Sequence, residues 1–370
     1  MRERAEITHY NFNNLLYSTF FITGFLENSE SLGYKFRISK EIPEELSGSL
    51  EDDDGKKIRY SMCLFKVKQG NEQFFFCIDT YDRCDSHKKE DRGYHLPLLK
   101  RVKYYFKVNY NKEAIEADLN LKDFKTKIYP AFPFSPIKPS ALLSWISLIY
   151  QNSLGDRTFV DFIKMVRHFF YTLTVDHIKK MRRKKKRFDI LFMVVYYREE
   201  VHAGHNEFRY QIMKELQKYS DINAVFGFVS RRKIPGKFGE FRVPSFPLRK
   251  YLDCLTSAKV GIYVRGVHNC FSFKFSQLLY LGMPIVGQTI LNNKEAIMKY
   301  PYFDEQFAYD SPKEIVKRAV ELLNDPERLK KLGESNARVF DEHFTPKRVT
   351  YDIIKIIENK LTEEREKNSV

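Results

Sequence analysis

The sequence predicts two doubly wound α/β domains that face each other across a cleft. Apolar, strand-like runs alternate with amphipathic helical segments through most of the chain, which is typical of largely parallel sheets covered on both faces. The 370 residues are about twice the length of a common domain of ~100–200 residues. Hydrophobic residues make up 43% of the chain and aromatic residues 15%, enough for two cores.

The N-terminal half shows the weaker form of this alternation. The strand AEITHY precedes a helical segment that ends at Gly33, and the strand YKFRIS follows. Two further strands are predicted around the turn QGNE, in RYSMCLFKV and EQFFFCIDTYD, and two more in VKYYFKVNY and TKIYPAFPF. Because a proline-rich stretch then interrupts regular structure, residues 1–140 are predicted to form the first domain.

Residues 141–187 are predicted to be a helical connector that ends in the basic run KKMRRKKKR, residues 179–187. The net charge of +15 attracts anions of several kinds. A partly apolar helix ending in a basic run suits an anionic membrane surface, and a charged linker between domains explains the run equally well. A basic nucleic-acid-binding protein is a further alternative, but no nucleic-acid-binding motif accompanies the run, so no nucleic acid partner is expected.

The apolar runs and the cysteines of the sequence indicate the cellular compartment. No run of 18 uncharged apolar residues occurs, and the N-terminus MRERAEITHY lacks the apolar core of a signal peptide. The five cysteines are odd in number and form no CxxC pair, which argues against a disulfide framework or a zinc site. We therefore expect a cytoplasmic protein with reduced thiols, peripheral to the membrane at most.

From residue 188 onward the alternation is regular. Four strands are predicted, in RFDILFMVVYY, INAVFGFVS, KVGIYVRG and PIVGQ. Helices are predicted between them, in NEFRYQIMKELQKY, PLRKYLDCLTSA and SFKFSQLLYLG. The next helix begins with Ser311 and Glu314 at the spacing of a capping box. We predict a second domain over residues 188–345, followed by a closing helix and tail over 346–370.

The segment VRGVHNCFSFKFSQ lies where a predicted strand ends and a helix begins. Ligands bind at this edge of open α/β sheets, and helix N-termini favour anions. With Ser272 as N-cap, Lys274 and Gln277 are three residues apart on one helix face. Lys274 is therefore predicted to contact a diphosphate and Gln277 a neighbouring hydroxyl. The alternative is that both are ordinary surface residues.

These residues also resemble a motif of the GT-B glycosyltransferases, K-x-x-E-x-x-A-x-G-x-P-V-V. This chain has Lys274, Gln277, Tyr280 and Gly282, followed by Pro-Ile-Val, at the same spacings. The segment SPKEIVKRAVELLNDPERLKKLGESNARVFDEHFTPKRV is similar to the closing helices of that family. The resemblance implies two Rossmann-like domains, an N-terminal one for the acceptor and a C-terminal one for a nucleotide-sugar donor. It further implies transfer of the sugar to a hydroxyl of a glycan or lipid-linked acceptor, as in polysaccharide biosynthesis, with no metal or other cofactor.

The resemblance also implies a set of donor-binding residues. Members that retain the sugar's configuration commonly carry two glutamates eight residues apart, and Asn269 and Gln277 stand at those positions here. An amide hydrogen-bonds hydroxyls but carries no charge, so a protein that binds a nucleotide or glycan without catalysis is an alternative. A second basic group is expected near the phosphates, from Arg198 or Arg209. The full set of predicted donor contacts is Lys274, Gln277, Ser272, Phe273, Asn269, Arg198 and Arg209.

Two histidines share the loop that carries these arginines. His202 and His205 are candidates to contact phosphate or acceptor, and their HxxH spacing without further ligands is a poor metal signal.

A catalytic base, if one is needed, is expected from the first domain. His9 follows the first strand, and Asp79 and Asp82 follow FFFCI; together with Arg209, which faces the leaving phosphate, these are the predicted catalytic residues. Aspartates in such positions are also common turn formers. A retaining reaction needs no base, so the stereochemistry stays open. Closely spaced aspartates also bind a divalent metal in the GT-A class, which is the rival assignment for this segment.

Overall fold

A computed structural model describes residues 5–10, 15–39, 42–49, 62–86, 93–140, 172–245 and 247–368, together with positions 143, 146, 163, 166, 167 and 170. The chain divides into two compact units. The first contains residues 1–175 and 343–370, and the second contains residues 176–342. Both units combine a sheet with helices, which confirms the predicted fold class of two α/β domains.

The first unit contains a six-stranded sheet with the order β2-β1-β3-β4-β5-β6. Its strands are β1 (Glu6–Tyr10), β2 (Lys35–Ser39), β3 (Met62–Gln69), β4 (Glu72–Asp79), β5 (Tyr104–Lys107) and β6 (Ile128–Pro130). Strand β3 runs antiparallel to both β1 and β4, whereas the other pairs are parallel. The predicted QGNE turn joins β3 to β4, and Gly70 takes a φ of +60° there, which glycine adopts without steric cost.

In the described part of this unit, four helices occur before or between these strands in the chain: α1 (Leu15–Asn28), α2 (Glu44–Ser47), α3 (Leu96–Arg101) and α4 (Lys112–Ala117). One face of the sheet is covered by a core that includes Leu64, Leu98, Tyr105 and Ile115. The side chain of Asn111 caps α4 by accepting from the N–H of Ala114 at 2.9 Å.

The second unit contains a five-stranded sheet, entirely parallel, with the order β11-β10-β7-β8-β9. Its strands are β7 (Phe188–Val195), β8 (Ala224–Val229), β9 (Arg242–Val243), β10 (Ala258–Tyr263) and β11 (Ile285–Gly287). Four of them were predicted. Sequence patterns missed β9 because a strand of two residues has no periodicity.

Eight helices lie in or at the edge of this unit. They are α5 (Val175–Met181), α6 (Ala203–Leu216), α7 (Leu248–Thr256), α8 (Phe273–Tyr280), α9 (Lys294–Ile297), α10 (Phe303–Gln306), α11 (Pro312–Leu323) and α12 (Pro326–Val339). Ser311 occupies the N-cap of α11 as predicted, but its side chain makes no capping hydrogen bond. After α8, Gly282 takes a φ of +61°, and a Cβ there would lie 2.9 Å from Cβ of Ala337. Close packing of α12 therefore requires glycine at this turn.

The basic run 179–187 is largely tied to the second unit. The Arg182 guanidinium binds both carboxylate oxygens of Asp341, at 2.8 and 3.0 Å, and Lys184 pairs with Asp253. Lys186 donates to the carbonyl oxygen of Thr256 at the C-terminus of α7, where a cation is favoured. Exposed side chains remain at positions 180, 183 and 185. Among the described residues, no helix has the length and apolar character needed to cross a bilayer.

The last helix, α13 (Pro346–Asn368), belongs to the first unit although its sequence follows the second. It packs against α1 so closely that a Cβ on Gly24 would meet the carbonyl oxygen of Pro346 at 2.1 Å. Asn28 of α1 donates to the carbonyl oxygen of Lys347 and to the hydroxyl of Thr350. The chain thus returns to the first unit, a connection that no local sequence signal predicts.

Candidate functional site

A cavity of about 160 Å³ lies at the carboxyl ends of β7, β10 and β11 in the second unit. It is smaller than common ligand pockets of ~300–1,000 Å³, so it suits one part of a larger ligand. None of the described residues that line it carries a carboxylate. The lining residues are Gly204, His205, Phe208, Arg209, Val264, Arg265, Asn269 and Gln288.

Arg209 is the most deeply buried cation of this cavity, with 4% of its surface exposed. It projects from α6, donates to the carbonyl oxygen of Val195 at 2.9 Å and lies 4.7 Å from the ring centre of Tyr197. In the part of the chain that the structure describes, its Nε has no hydrogen-bond partner and its guanidinium has no carboxylate partner. Buried charges in proteins are normally paired, so Arg209 is unusual in having no carboxylate partner in the described chain.

Lys274, in the first turn of α8, brings a second cation to the end of β7. Its amine donates to the carbonyl oxygen of Met193 and lies 5.8 Å from the ring centre of Phe192 and 5.7 Å from that of Tyr251. Burial, and then the charge of Arg209, lower the pKa of Lys274 to about 7. The described residues place no carboxylate in ion-pair contact with this amine. The Lys274 amine, which the sequence predicts to contact phosphate, is therefore already hydrogen-bonded to the backbone in the absence of a ligand.

The other predicted donor residues of α8 lie close by. Ser272 occupies the N-cap without a side-chain capping bond, and Phe273 is the first helical residue. Gln277 is 7% exposed, and the described residues give its side-chain amide no hydrogen-bond partner. Of the predicted arginines, Arg198 is exposed and donates to the carbonyl oxygen of Lys233 at 3.0 Å. The structure thus places Lys274 near Arg209, and Arg209 and Asn269 line the cavity. Lys274, Gln277 and Arg198 are not among the lining residues.

Two cavity residues, Arg265 and Gln288, were missed by the sequence analysis. Gln288 Oε1 accepts the backbone N–H of Arg265 at 2.9 Å, and Arg265 Nη2 lies 3.2 Å from Asp310. Arg265 lies two residues after the end of β10, and Gln288 comes directly after the neighbouring strand β11. Both residues stand in the last two positions of a predicted strand, KVGIYVRG and PIVGQ, and this place at a strand's carboxyl end is the signal that could have identified them.

Asn269 lies in a tight loop between β10 and α8. The N–H of Gly266 donates to the carbonyl oxygen of Cys270 at 2.9 Å, which closes the loop. His268 and Asn269 both take left-handed conformations, with φ of 55° and 60°. Such strain in non-glycine residues collects at functional sites, and here it carries Asn269 into the cavity lining.

Three histidines surround the same loop. The ring centre of His202 is 6.3 Å from that of His205 and 6.2 Å from that of His268. His205 Nε2 lies 2.7 Å from the carbonyl oxygen of Gly266. Burial is the main cause that lowers the pKa of His205. Among the described residues, no group of three or more His, Cys, Asp or Glu side chains is arranged to hold a metal ion.

The candidate bases of the first unit lie mainly in its interior. His9 is fully buried, with Nδ1 3.1 Å from the carbonyl oxygen of Leu64 and its ring against Phe65. Asp79 is also fully buried, and Oδ2 lies 2.9 Å from the amine of Lys107. Asp82 is exposed. His9 and Asp79 are thus fully buried, and Asp82 is the exposed residue of the three.

Asp79 holds its place through further contacts. Its Oδ1 accepts the N–H of Tyr81 at 2.8 Å, and its Oδ2 accepts the hydroxyl of Tyr105 at 2.5 Å. A carboxylate occupied in this way has little capacity left for a metal or a substrate proton.

No protein-family model matches the chain, and no curated protein matches it. Among solved structures, phage T4 BGT in complex with its UDP-glucose substrate is 13% identical, with a TM-score of 0.32, over 70% of this chain and 83% of that one. Staphylococcus aureus TarM, solved with UDP, is 8% identical, with a TM-score of 0.39 and coverage of 89% of both chains. The N-terminal domain of Candida albicans trehalose-6-phosphate phosphatase is 10% identical, with a TM-score of 0.37, over 71% of this chain and 60% of that one.

Proposed function

We propose that the chain is a glycosyltransferase. Its second unit binds a nucleotide-sugar donor, and the sugar passes to a hydroxyl of a glycan or lipid-linked acceptor. The observation that carries the proposal is the positive charge at the end of β7, where Arg209 and Lys274 lie near each other without a carboxylate partner among the described residues. A diphosphate supplies the missing negative charge.

The chemistry of transfer fits the same groups. Negative charge grows on the leaving nucleoside diphosphate as the glycosidic bond breaks, and fixed cations at that point stabilise the transition state. Arg209 and Arg265 both line the cavity, and a guanidinium matches phosphate oxygens with two parallel donors. An anion beside Lys274 favours its charged form, so donor binding is accompanied by proton uptake at neutral pH. In this proposal protein cations neutralise the diphosphate, and a chelator leaves the activity unchanged.

The test is calorimetric titration with UDP-glucose, UDP-N-acetylglucosamine and GDP-mannose, followed by an assay for sugar release. We expect micromolar to millimolar binding of at least one compound, and Arg209→Gln to weaken it about tenfold or more. Arg198→Gln is the matched control, because Arg198 is exposed and outside the cavity lining. Equal binding by both variants and the wild type would place the donor site elsewhere.

A second candidate is a protein that binds a nucleotide sugar without transferring the sugar. It is favoured by the amides Asn269 and Gln277 and by the burial of His9 and Asp79. Binding in the titration without release of nucleoside diphosphate, with or without glycan acceptors, identifies this case.

The acceptor is proposed to lie at an anionic membrane surface in the cytoplasm. Lys180, Arg183 and Lys185 are exposed, and each basic residue near such a surface contributes ~1 kcal/mol. Flotation with vesicles containing phosphatidylserine, compared with neutral vesicles, tests this part; equal recovery contradicts it.

A further inference from the structure

The contacts of His205 define the hydrogen-bonding role of its ring. Nε2 lies 2.7 Å from the carbonyl oxygen of Gly266. A carbonyl oxygen only accepts, so the proton of the neutral ring is on Nε2, and Nδ1 is left as an acceptor. The described residues provide no hydrogen-bond partner for Nδ1.

The surroundings of His205 favour this neutral ring. Burial lowers its pKa most; the bond to Gly266 raises it, and the neighbouring charges of Arg209, His202 and His268 lower it further. Arg209 lies on α6 itself, His202 precedes this helix, and His268 lies in the loop after β10. Nδ1 therefore remains an acceptor at neutral pH.

Most other polar groups of the cavity act as donors. The guanidiniums of Arg209 and Arg265 have no acceptor atom. Gln288 uses Oε1 to bind the N–H of Arg265, so its amide group is left with donors. The phosphates of a nucleotide sugar carry no O–H at neutral pH, whereas its sugars carry several. An acceptor among these donors thus fits a hydroxyl.

We propose that Nδ1 of His205 accepts a hydrogen bond from a hydroxyl group of the nucleotide sugar and so fixes that group beside Arg209. This inference rests on the proposed donor site of the second unit. The hydroxyl belongs either to the transferred sugar or to the ribose, which offer the same chemistry. The alternative role is structural: His205 fastens the loop through Gly266.

Two substitutions separate these roles, because each preserves the hydrogen-bonding capacity of one of the two ring nitrogens. His205→Asn keeps an acceptor near Nδ1 and loses the bond to Gly266, and His205→Gln keeps a donor near Nε2 and loses the acceptor. We expect His205→Gln to bind the tightest ligand of the panel about tenfold more weakly, as for one lost hydrogen bond, and His205→Asn to stay within about threefold of the wild type. The reverse order would show that His205 only anchors the loop.

Titration of the corresponding nucleoside diphosphate identifies the hydroxyl. If it belongs to the transferred sugar, His205→Gln binds the nucleoside diphosphate as the wild type does. If it belongs to the ribose, the variant loses affinity for both ligands.

The pH dependence gives an independent readout. Protonation of Nδ1 abolishes the acceptor, so acidification from pH 7.5 to pH 5.5 is expected to weaken binding more in the wild type than in His205→Asn. His202 and His268 are present in both proteins, so their titration cancels in the comparison. Stronger binding by the wild type at the lower pH, absent from His205→Asn, would assign His205 to phosphate and overturn the proposal.

A measurement on the wild-type protein tests the proposal even if the variants fail to fold. In ¹⁵N-histidine NMR, Nδ1 of His205 is expected to have the chemical shift of an unprotonated nitrogen and to move when the nucleotide sugar binds. An imidazolium pattern in the complex would overturn the proposal. If the wild type binds no ligand of the panel, the proposed function fails and the inference with it; if it binds and His205→Gln binds equally well, the inference alone fails.

Discussion

Buried charged residues lie at the carboxyl edges of both sheets, but they form an ion pair only in the first unit as far as the structure describes the chain. In the first unit, Asp79 ends β4 and Lys107 ends β5, and the two residues are partners in the register of these strands. Both are fully buried, with 2.9 Å between amine and carboxylate. In the second unit, Arg209 and Lys274 meet at the end of β7 without a carboxylate partner in the described chain.

This difference separates a structural charge from a functional one. A buried pair has its charges neutralised within the protein, and removal of one partner leaves the other charge in a medium that solvates it poorly. Cations without a partner lower the stability of the free protein, and a bound anion restores it by mass action. In the proposed function the ligand therefore binds at this edge of the second unit, although carboxylates of the first unit looked equally suitable in the sequence.

The backbone shows the same contrast. In the described parts of the first unit, positive φ occurs only at glycines, whereas His268, Asn269, Asn293 and Tyr302 of the second unit are non-glycine residues with positive φ. Two of these four form the loop beside the cavity. Uncompensated charge and backbone strain thus occur at one edge of one sheet.

Breaking the buried pair is the most severe test of the comparison. Asp79→Asn leaves Lys107 buried without a counter-charge, and we expect a loss of about 3–5 kcal/mol in the free energy of unfolding. Urea denaturation measures this loss. Nucleotide-sugar affinity of the folded fraction is expected to stay unchanged, because the pair is structural.

Asp82→Asn is the matched control, since Asp82 is exposed, and it is expected to change stability by less than about 0.5 kcal/mol. A stable Asp79→Asn protein that has lost sugar transfer would instead assign Asp79 to catalysis and remove the contrast between the two edges.

The sequence predicted helices and strands with a local pattern more readily than the pairing of residues from different elements. Strongly apolar or periodic segments such as β7 and α6 were predicted because burial alone determines their pattern. The pairing of Asp79 with Lys107 depends on strand register, and that of Arg265 with Gln288 on the neighbouring order of β10 and β11. These are long-range relations that one sequence does not display, and the return of α13 to the first unit is another.

The charge of Lys274 gives the next test. Its pKa in the folded chain is about 7, below its unfolded value of ~10.4, so the unfolded state binds more protons between these values. Stability is then expected to rise from pH 7 to pH 9, with this lysine contributing up to about 1.4 kcal/mol per pH unit. Lys274→Met removes that contribution, which urea unfolding at several pH values detects.

Lys330→Met is the control, because the side chain of Lys330 is 77% exposed and its removal leaves the slope intact. A slope equal in the wild type and in Lys274→Met would mean that the amine is well solvated, and the uncompensated charge of this edge would then reduce to Arg209.

The smallest expected effect is a difference in stability between two variants of Asn269. These variants separate the backbone strain at this position from the hydrogen bonding of its side-chain amide. Asn269→Gly and Asn269→Ala both remove the amide, but only glycine accepts a φ of 60° without cost. The glycine variant is therefore expected to be about 1 kcal/mol more stable than the alanine variant, as measured by urea denaturation. Both are expected to lose nucleotide-sugar affinity equally, because the amide lines the cavity.

Asn293 provides a matched pair of controls, since it has a φ of 53° and lies outside the cavity lining. Its glycine and alanine variants are expected to differ in stability by a similar amount and to keep the affinity of the wild type. If Asn269→Gly keeps its nucleotide-sugar affinity while Asn269→Ala loses it, the affinity depends on the backbone conformation of the loop and not on the amide. The strain at this edge would then serve binding through the backbone, and the amide at the position of the family's glutamate would have no part in holding the donor.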